Sequence, residues 1–225
     1  MNTRALSEFL RTAVRSRGNA NATAWFDEAL VQAAGGSADA VAAAYTTARR
    51  LGRALLNLSA AEKGDVERLQ SDLQFDRWTL EDAGRAALLM ASAAAHPDGF
   101  LRAATECYDR GDSAEQESWL KSTPLLPEPE QLLPIVIDAC RTNILPLFEA
   151  VACENPFPAR HFPERNFNQM VLKALFNQVA LSRIAGLAGR RNADLTRMAA
   201  DYASERRAAG RTVPSDIGLA MTETP

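Results

Sequence analysis

Apolar residues recur at intervals of three and four along almost the whole chain, and no stretch alternates in the manner of a strand rich in β-branched and aromatic residues. The spacing predicts an all-α protein, an irregular multi-helix bundle or a short stack of antiparallel helix pairs with roughly 10-12 helices. Punctuation between the apolar stripes places helices over about 3–16, 22–34, 38–57, 60–73, 80–95, 98–109, 114–121, 129–141, 144–154, 163–177, 180–187 and 193–209. Ser59-x-x-Glu62 and Ser113-x-x-Gln116 fit the capping box, in which a hydroxyl and an acidic or amide side chain satisfy each other's backbone amides. Thr79, Asn143 and Asn192 fit simpler N-caps. No repeat of fixed period is visible.

Prolines divide the pattern. In LKSTPLLPEPEQLLP, residues 120–134, Pro124, Pro127 and Pro129 each remove a backbone donor and disfavour helix in the residue before them. We expect a single all-α domain over 1–225, with subdomains at 1–121 and 129–220 joined by this connector at 122–134. Pro134 and Pro146 are expected in the first turns of the helices that follow, where a missing N–H costs little.

Charge and composition narrow the function classes. The net charge is −3, yet residues 106–130 carry seven carboxylates and residues 183–211 carry seven arginines against three carboxylates, which predicts a bipolar surface. A sequence pI near 5.5 without a basic motif interleaved with aromatics argues against nucleic acid. Cys107, Cys140 and Cys153 lack metal or disulfide spacing and read as small core residues in a reducing compartment. The first segment is amphipathic rather than a secretory signal, and the longest apolar run, AALLMASAAA, is too short to span a bilayer. The expected protein is cytoplasmic and not membrane-spanning. It has no phosphate loop, nucleophile elbow or HExxH, and no metal or cofactor is called for.

The unusual chemistry lies in CENPFPARHFPERNFNQMVLKALF, residues 153–176. Pro156 and Pro158 stiffen a loop that Phe157 and Phe162 anchor; it is either a packed connector whose polar groups face water or a fixed display of Arg160 and His161 for anion binding or proton transfer. On the next helix Asn166, Gln169, Lys173 and Asn177 form a narrow polar stripe, either a solvated face or the wall of a cleft, while the rest is apolar almost all round. Asn168 falls on the apolar side, so its amide needs a backbone partner, with the proline loop the nearest source. In the last long helix Leu195, Met198, Ala199 and Tyr202 make a core stripe. Asp201 and Glu205 read as part of an ion-pair face, and Arg206 with Arg207 completes the C-terminal end.

RTNILPLFEAVACENPFPARHF, FNQMVLKALF and RIAGLAGRRNADLTRMAADYASERRAAGRTVP, in this order, resemble the C-terminal signature of the EboA family of bacterial proteins, with weaker likeness at WTLEDAGRAALLM and WLKSTPLLPEP. The resemblance is close over about 141–214 and weakest before about residue 75. It implies a gene cluster for producing a secondary metabolite or delivering it to the cell envelope, one that also encodes a UbiA-like membrane prenyltransferase, a dehydroquinate-synthase-like enzyme, TIM-barrel proteins and a phosphatase-like protein. It carries over no catalytic residue. Its signature positions include Arg141, Asn143, Glu149, Asn155, Pro156, Pro158, Asn168, Gln169, Lys173, Arg191, Asn192, Tyr202, Glu205, Arg206 and Arg211. From both readings, Glu149, Asn155, Arg160, His161, Gln169, Lys173, Arg191 and Arg206 are candidate ligand-binding residues. Asn143, Pro156, Pro158, Asn168, Asn192 and Tyr202 are candidate structural ones. The leading expectation is an accessory protein binding a polar or phosphorylated metabolite, or a pathway enzyme such as the prenyltransferase. The alternatives are an enzyme of unrecognised type working in a cleft around Arg160, His161 and Lys173 with Glu149, and a plain scaffold.

Overall fold

The helical spacing becomes thirteen α-helices in the computed structural model, counted among the residues it describes, 3–222. They are α1 Thr3–Arg17, α2 Ala20–Gly35, α3 Ala38–Thr47, α4 Ala60–Leu69, α5 Leu80–Ala95, α6 Pro97–Asp109, α7 Ser113–Ser122, α8 Pro129–Ala139, α9 Leu145–Ala152, α10 Phe157–His161, α11 Glu164–Phe176, α12 Leu187–Arg190 and α13 Ala193–Ala208. β pairing among the described residues is limited to one isolated antiparallel bridge between Leu55 and Thr79. The fold class is all-α. Two compact units divide the chain, Met1–Leu132 and Leu133–Pro225, with the division falling inside α8.

The first unit is built around α5. Every residue from Leu80 to Ser92 is buried, because α1, α2, α3, α6 and α7 all pack on this one helix. Small residues permit that crowding: a Cβ on Gly84 would stand 2.1 Å from Leu51 Cδ1. Trp119 of α7 donates its indole N–H to the Ala104 carbonyl of α6 at 2.8 Å, and Tyr45 of α3 donates to the Glu115 carbonyl of α7 at 2.8 Å. Ser59 and Glu62 form the expected capping box on α4, and Thr79 caps α5 in a box with Asp82.

Two expectations for this unit need correction. The helix expected over 38–57 ends at Thr47, turns through a 3-10 segment to Leu51, and stops at Gly52, whose φ of 80° is left-handed. Residues after it run extended beside the start of α5, so that the Leu56 amide donates to the Trp78 carbonyl at 2.8 Å. The cap of α7 is Asp112 with Glu115 rather than Ser113 with Gln116, since the Asp112 carboxylate accepts from the amides of both Ala114 and Glu115 at 2.9 Å. The proline-rich segment is itself folded, with Thr123–Leu125 in a buried 3-10 turn.

In the second unit α9, α11 and α13 supply the core through Phe148, Val151, Phe167, Val171, Leu175, Leu195, Ala199 and Tyr202. Pro146 sits in the first turn of α9 as expected, but Pro134 lies inside α8, well past its first turn. Asn143 is exposed and caps nothing: Ile144 occupies the N-cap of α9, and the Thr142 hydroxyl accepts from the Ile144 amide at 3.1 Å. The helix expected over 180–187 is instead a 3-10 turn, Leu181–Arg183, followed by the short α12. All three cysteines are reduced and buried, and burial pushes the thiols of Cys107 and Cys140 up to about 12.

Candidate functional site

The segment expected to be a stiff loop is largely α10, and one side chain starts it. Asn155 is buried. Its amide donates to the Ala150 carbonyl at 2.9 Å, and its carbonyl oxygen accepts from the Phe157 amide at 2.9 Å. Pro156 and Pro158 stand at the cap and first turn of this helix, where their fixed φ is helical already. Arg160 and His161 therefore occupy its last turn, Arg160 exposed and His161 half-buried with its ring 4.8 Å from that of Phe157.

Two arginines outside the sequence candidates hold this region. Arg190 donates to the carbonyls of Ala159 at 2.6 Å and Phe162 at 2.7 Å, satisfying the end of α10, while its guanidinium lies 4.6 Å from the centre of the Phe167 ring. Gly186, at a left-handed φ of 72°, lets the chain pass close to α10, since a Cβ there would be 2.6 Å from that of Ala159. Arg183 pairs with Glu154 at 2.8 Å and Glu149 at 2.7 Å. Hydrogen bonding to Glu154, against the cost of burial and with Glu149 assisting, raises its pKa beyond the ordinary arginine value. Glu149 is thus engaged by Arg183. Nothing local in the sequence announces either arginine, because their partners are 28 or more residues away.

On α11 the polar stripe divides. Gln169 is exposed, whereas Lys173 turns its ammonium onto the carbonyls of Cys140 at 3.0 Å and Thr142 at 2.5 Å, beneath which the Phe148 ring lies 5.2 Å away. Lys173 closes the C-terminal end of α8. With Gln169 and Arg141 it lines a cleft of only about 70 Å³, room for about two waters, and that lining does not include Arg160 or His161. Lys173 is thus engaged with the carbonyls after α8, and Glu149 with Arg183.

Asn168 is buried at 3 % exposure, and its partner differs from the backbone expected. Asn168 and Asn192 exchange two amide hydrogen bonds, of 3.1 and 3.0 Å, while the Asn192 carbonyl oxygen also accepts from the Leu195 amide as N-cap of α13. Arg191 is exposed and donates to the carbonyls of Ala188 and Met221, each at 3.2 Å. Tyr202 donates to the Leu175 carbonyl at 3.3 Å, and the aromatic ring that covers it belongs to Phe176 at 4.7 Å. Phe176 is 61 % exposed, contrary to its place in an apolar helix.

A larger cleft in this unit, of about 440 Å³, includes Leu175 and Arg206 in its lining. Leu175, Val179 and Ala180 form one side and the segment Thr212–Asp216 the other. Arg206 reaches in from α13. Its Nε and Nη2 donate to the Thr212 carbonyl at 2.9 and 2.7 Å, leaving Nη1 without a hydrogen bond among the described residues. Asp216 fixes the opposite end by accepting from the Leu181 amide at 2.6 Å. Chemically this is an apolar trough with one guanidinium edge and the side chains of Gln178 and Ser215 at hand. Among the described residues no group of histidine, cysteine, aspartate or glutamate is arranged to hold a metal ion.

A family model, described as metabolite traffic protein EboA, matches residues 6–222. The chain belongs to the EboA family. That match spans both units and so reaches well beyond the C-terminal signature legible in the sequence. No curated protein and no solved structure matches the chain. No helix among the described residues is long and apolar enough to cross a membrane. The family description links the chain to metabolites in general terms.

The first unit carries a different cluster, absent from the sequence candidates. Arg85, 2 % exposed, donates to Glu81 at 3.1 Å, to the Ser118 hydroxyl at 3.1 Å and to the Tyr45 carbonyl at 3.2 Å. Ser118 donates in turn to Asp82 at 2.6 Å, and Lys121 meets Asp82 at 3.0 Å and Glu117 at 2.7 Å. Burial opposes the charge on Lys121, yet Asp82 and Glu117 keep its pKa above the ordinary lysine value. Each charge here already has protein partners, which makes the cluster a structural network. Its signal was the trio Glu81, Asp82 and Arg85 at the head of an otherwise apolar run.

Proposed function

We propose that this protein is an accessory protein that binds a metabolite with an anionic head and a short apolar body in the cleft beside Arg206. A phosphorylated pathway intermediate fits this description. The observation that carries the reading is the joining of an unused guanidinium edge to an apolar trough. Arginine's planar fork suits a phosphate or carboxylate, and Leu175, Val179 and Val213 offer burial for a carbon chain. The family description supports a role in metabolite handling. Partnership with other proteins of the implied gene cluster, including a prenyltransferase, and a cytoplasmic location belong to the same proposal and rest on the resemblance.

Titration of the ¹⁵N-labelled protein with hexyl phosphate and with inorganic phosphate tests it. Hexyl phosphate should shift the Arg206 Nε–H signal and the Val179 and Thr212 amides. It should bind roughly tenfold more tightly than inorganic phosphate, the gain from burying about two methylenes at about 0.8 kcal/mol each. Val213→Trp, which fills the trough and leaves Arg206 in place, should abolish that difference. Absence of saturable shifts at all three positions with either probe defeats the reading.

A further inference from the structure

The first unit contains a second cleft, of about 470 Å³, where α2 gives way to α3 and α5 gives way to α6. Three features of its wall lack an explanation inside the protein. Ser92, in the last turn of α5, is 2 % exposed and lines the cleft, yet its hydroxyl makes no hydrogen bond among the described residues. A serine inside a helix either returns its hydroxyl to a carbonyl of the preceding turn or points it out of the helix. Helix α6 begins without a side-chain cap: His96 holds the N-cap position with no side-chain hydrogen bond, and Pro97 follows. Gly99, in the first turn of α6, has no left-handed φ, and a Cβ built on it would meet nothing within 4 Å. Glycine weakens a helix relative to alanine, and here no packing demands it. What it does is leave bare backbone on the cleft wall.

Charge decides the class of ligand. Asp39 and Asp98 stand in the first turns of α3 and α6, where they oppose the approach of an anion to the helix starts. Arg102 lies on the same wall, and Arg110 already pairs with Asp39 at 3.1 Å, so a cation finds no uncompensated pair of carboxylates. The lining thus presents acceptors on Asp39 and Asp98 and donors on the Asp98 amide and on Arg102, whose Nε already pairs with Glu106 at 3.2 Å, while the Gly99 amide donates to the His96 carbonyl at 3.1 Å and leaves its Cα face to the cleft. The Ser92 hydroxyl can do either. Such a mixture suits a ligand whose every polar group both donates and accepts. We propose that this cleft binds a neutral polyhydroxylated molecule of monosaccharide size, with the Ser92 hydroxyl and the bare backbone at Gly99 as its contact points. The proposal is independent of the cleft beside Arg206.

Parallel titrations of the ¹⁵N-labelled full chain with myo-inositol, glucose, inorganic phosphate and ethylammonium test it. Myo-inositol or glucose should shift the Asp39, Asp98 and Gly99 amides saturably. Ser92→Ala should weaken that binding by roughly fivefold without lowering the thermal midpoint, because no protein hydrogen bond is lost. Gly99→Val should remove binding by filling the wall. The proposal is overturned if both polyols leave these amides unmoved at tens of millimolar, which would mean that only water meets Ser92. It is equally overturned if phosphate or ethylammonium gives the saturable response instead, or if Ser92→Ala lowers the midpoint while polyol affinity is unchanged.

Discussion

Asn168 shows how far a single residue can be read. Its place on the apolar side of α11 was legible from spacing, and so was the need for a partner, since an unpaired buried amide is costly. The partner was not legible, because Asn192 lies 24 residues further on and reveals in sequence only its capping role. The reciprocal pair makes two functions depend on each other: Asn168 holds the side chain whose oxygen caps α13. Asn168→Ala should therefore destabilise the protein by about 1–3 kcal/mol in urea unfolding. In a double-mutant cycle with Asn192→Ala the losses should be markedly less than additive. An unchanged unfolding midpoint for Asn168→Ala would remove it from the structural account. Lys173 gives the opposite lesson. Its stripe was visible, but the carbonyls that claim its ammonium belong to the end of another helix, and no local pattern encodes that meeting.

Elements were legible where a stripe and a cap agreed, as in α4, α5 and α13, and least so where backbone geometry overrode propensity. Gly52 ends a run that composition alone would continue, and Asn155 starts a helix inside a segment whose prolines suggested only stiffness. The capping box of α4 also carries a pH signature. Arg17 hydrogen-bonds the Glu62 carboxylate at 2.7 Å and the Ser59 amide donates to it at 2.8 Å, which lowers its pKa from the ordinary 4.5 to about 2. A carboxyl whose folded pKa lies below its unfolded one lends stability that is complete above the unfolded value and is lost as pH falls toward the folded value. Stability from this pair should thus decline between about pH 4.5 and 2. Its contribution is on the order of 1 kcal/mol, because water still reaches both groups. Comparing urea midpoints of the wild type and Glu62→Gln across that range checks this: the variant should start lower near neutrality and lose less on acidification.

For the whole molecule, helical class and family were within reach of the sequence, whereas the distribution of charge was not. Seven arginines near the C-terminal end suggested a basic surface, yet Arg183 is spent on carboxylates and Arg190 on the carbonyls that end α10. What formal charge counts as surface, folding has partly turned inward. The buried cysteines carry a consequence of another kind. Cys107 belongs to the first unit and Cys140 and Cys153 to the second, so the chain contains its own reporters of transient opening in each. A thiol reagent applied without denaturant should modify all three orders of magnitude more slowly than it does the unfolded chain, since each must wait for local breathing to expose it. Rapid modification of any one, followed by mass spectrometry of its peptide, would contradict the burial described for it. Timed in this way, the two halves of the molecule can be watched separately through their own buried sulfur atoms.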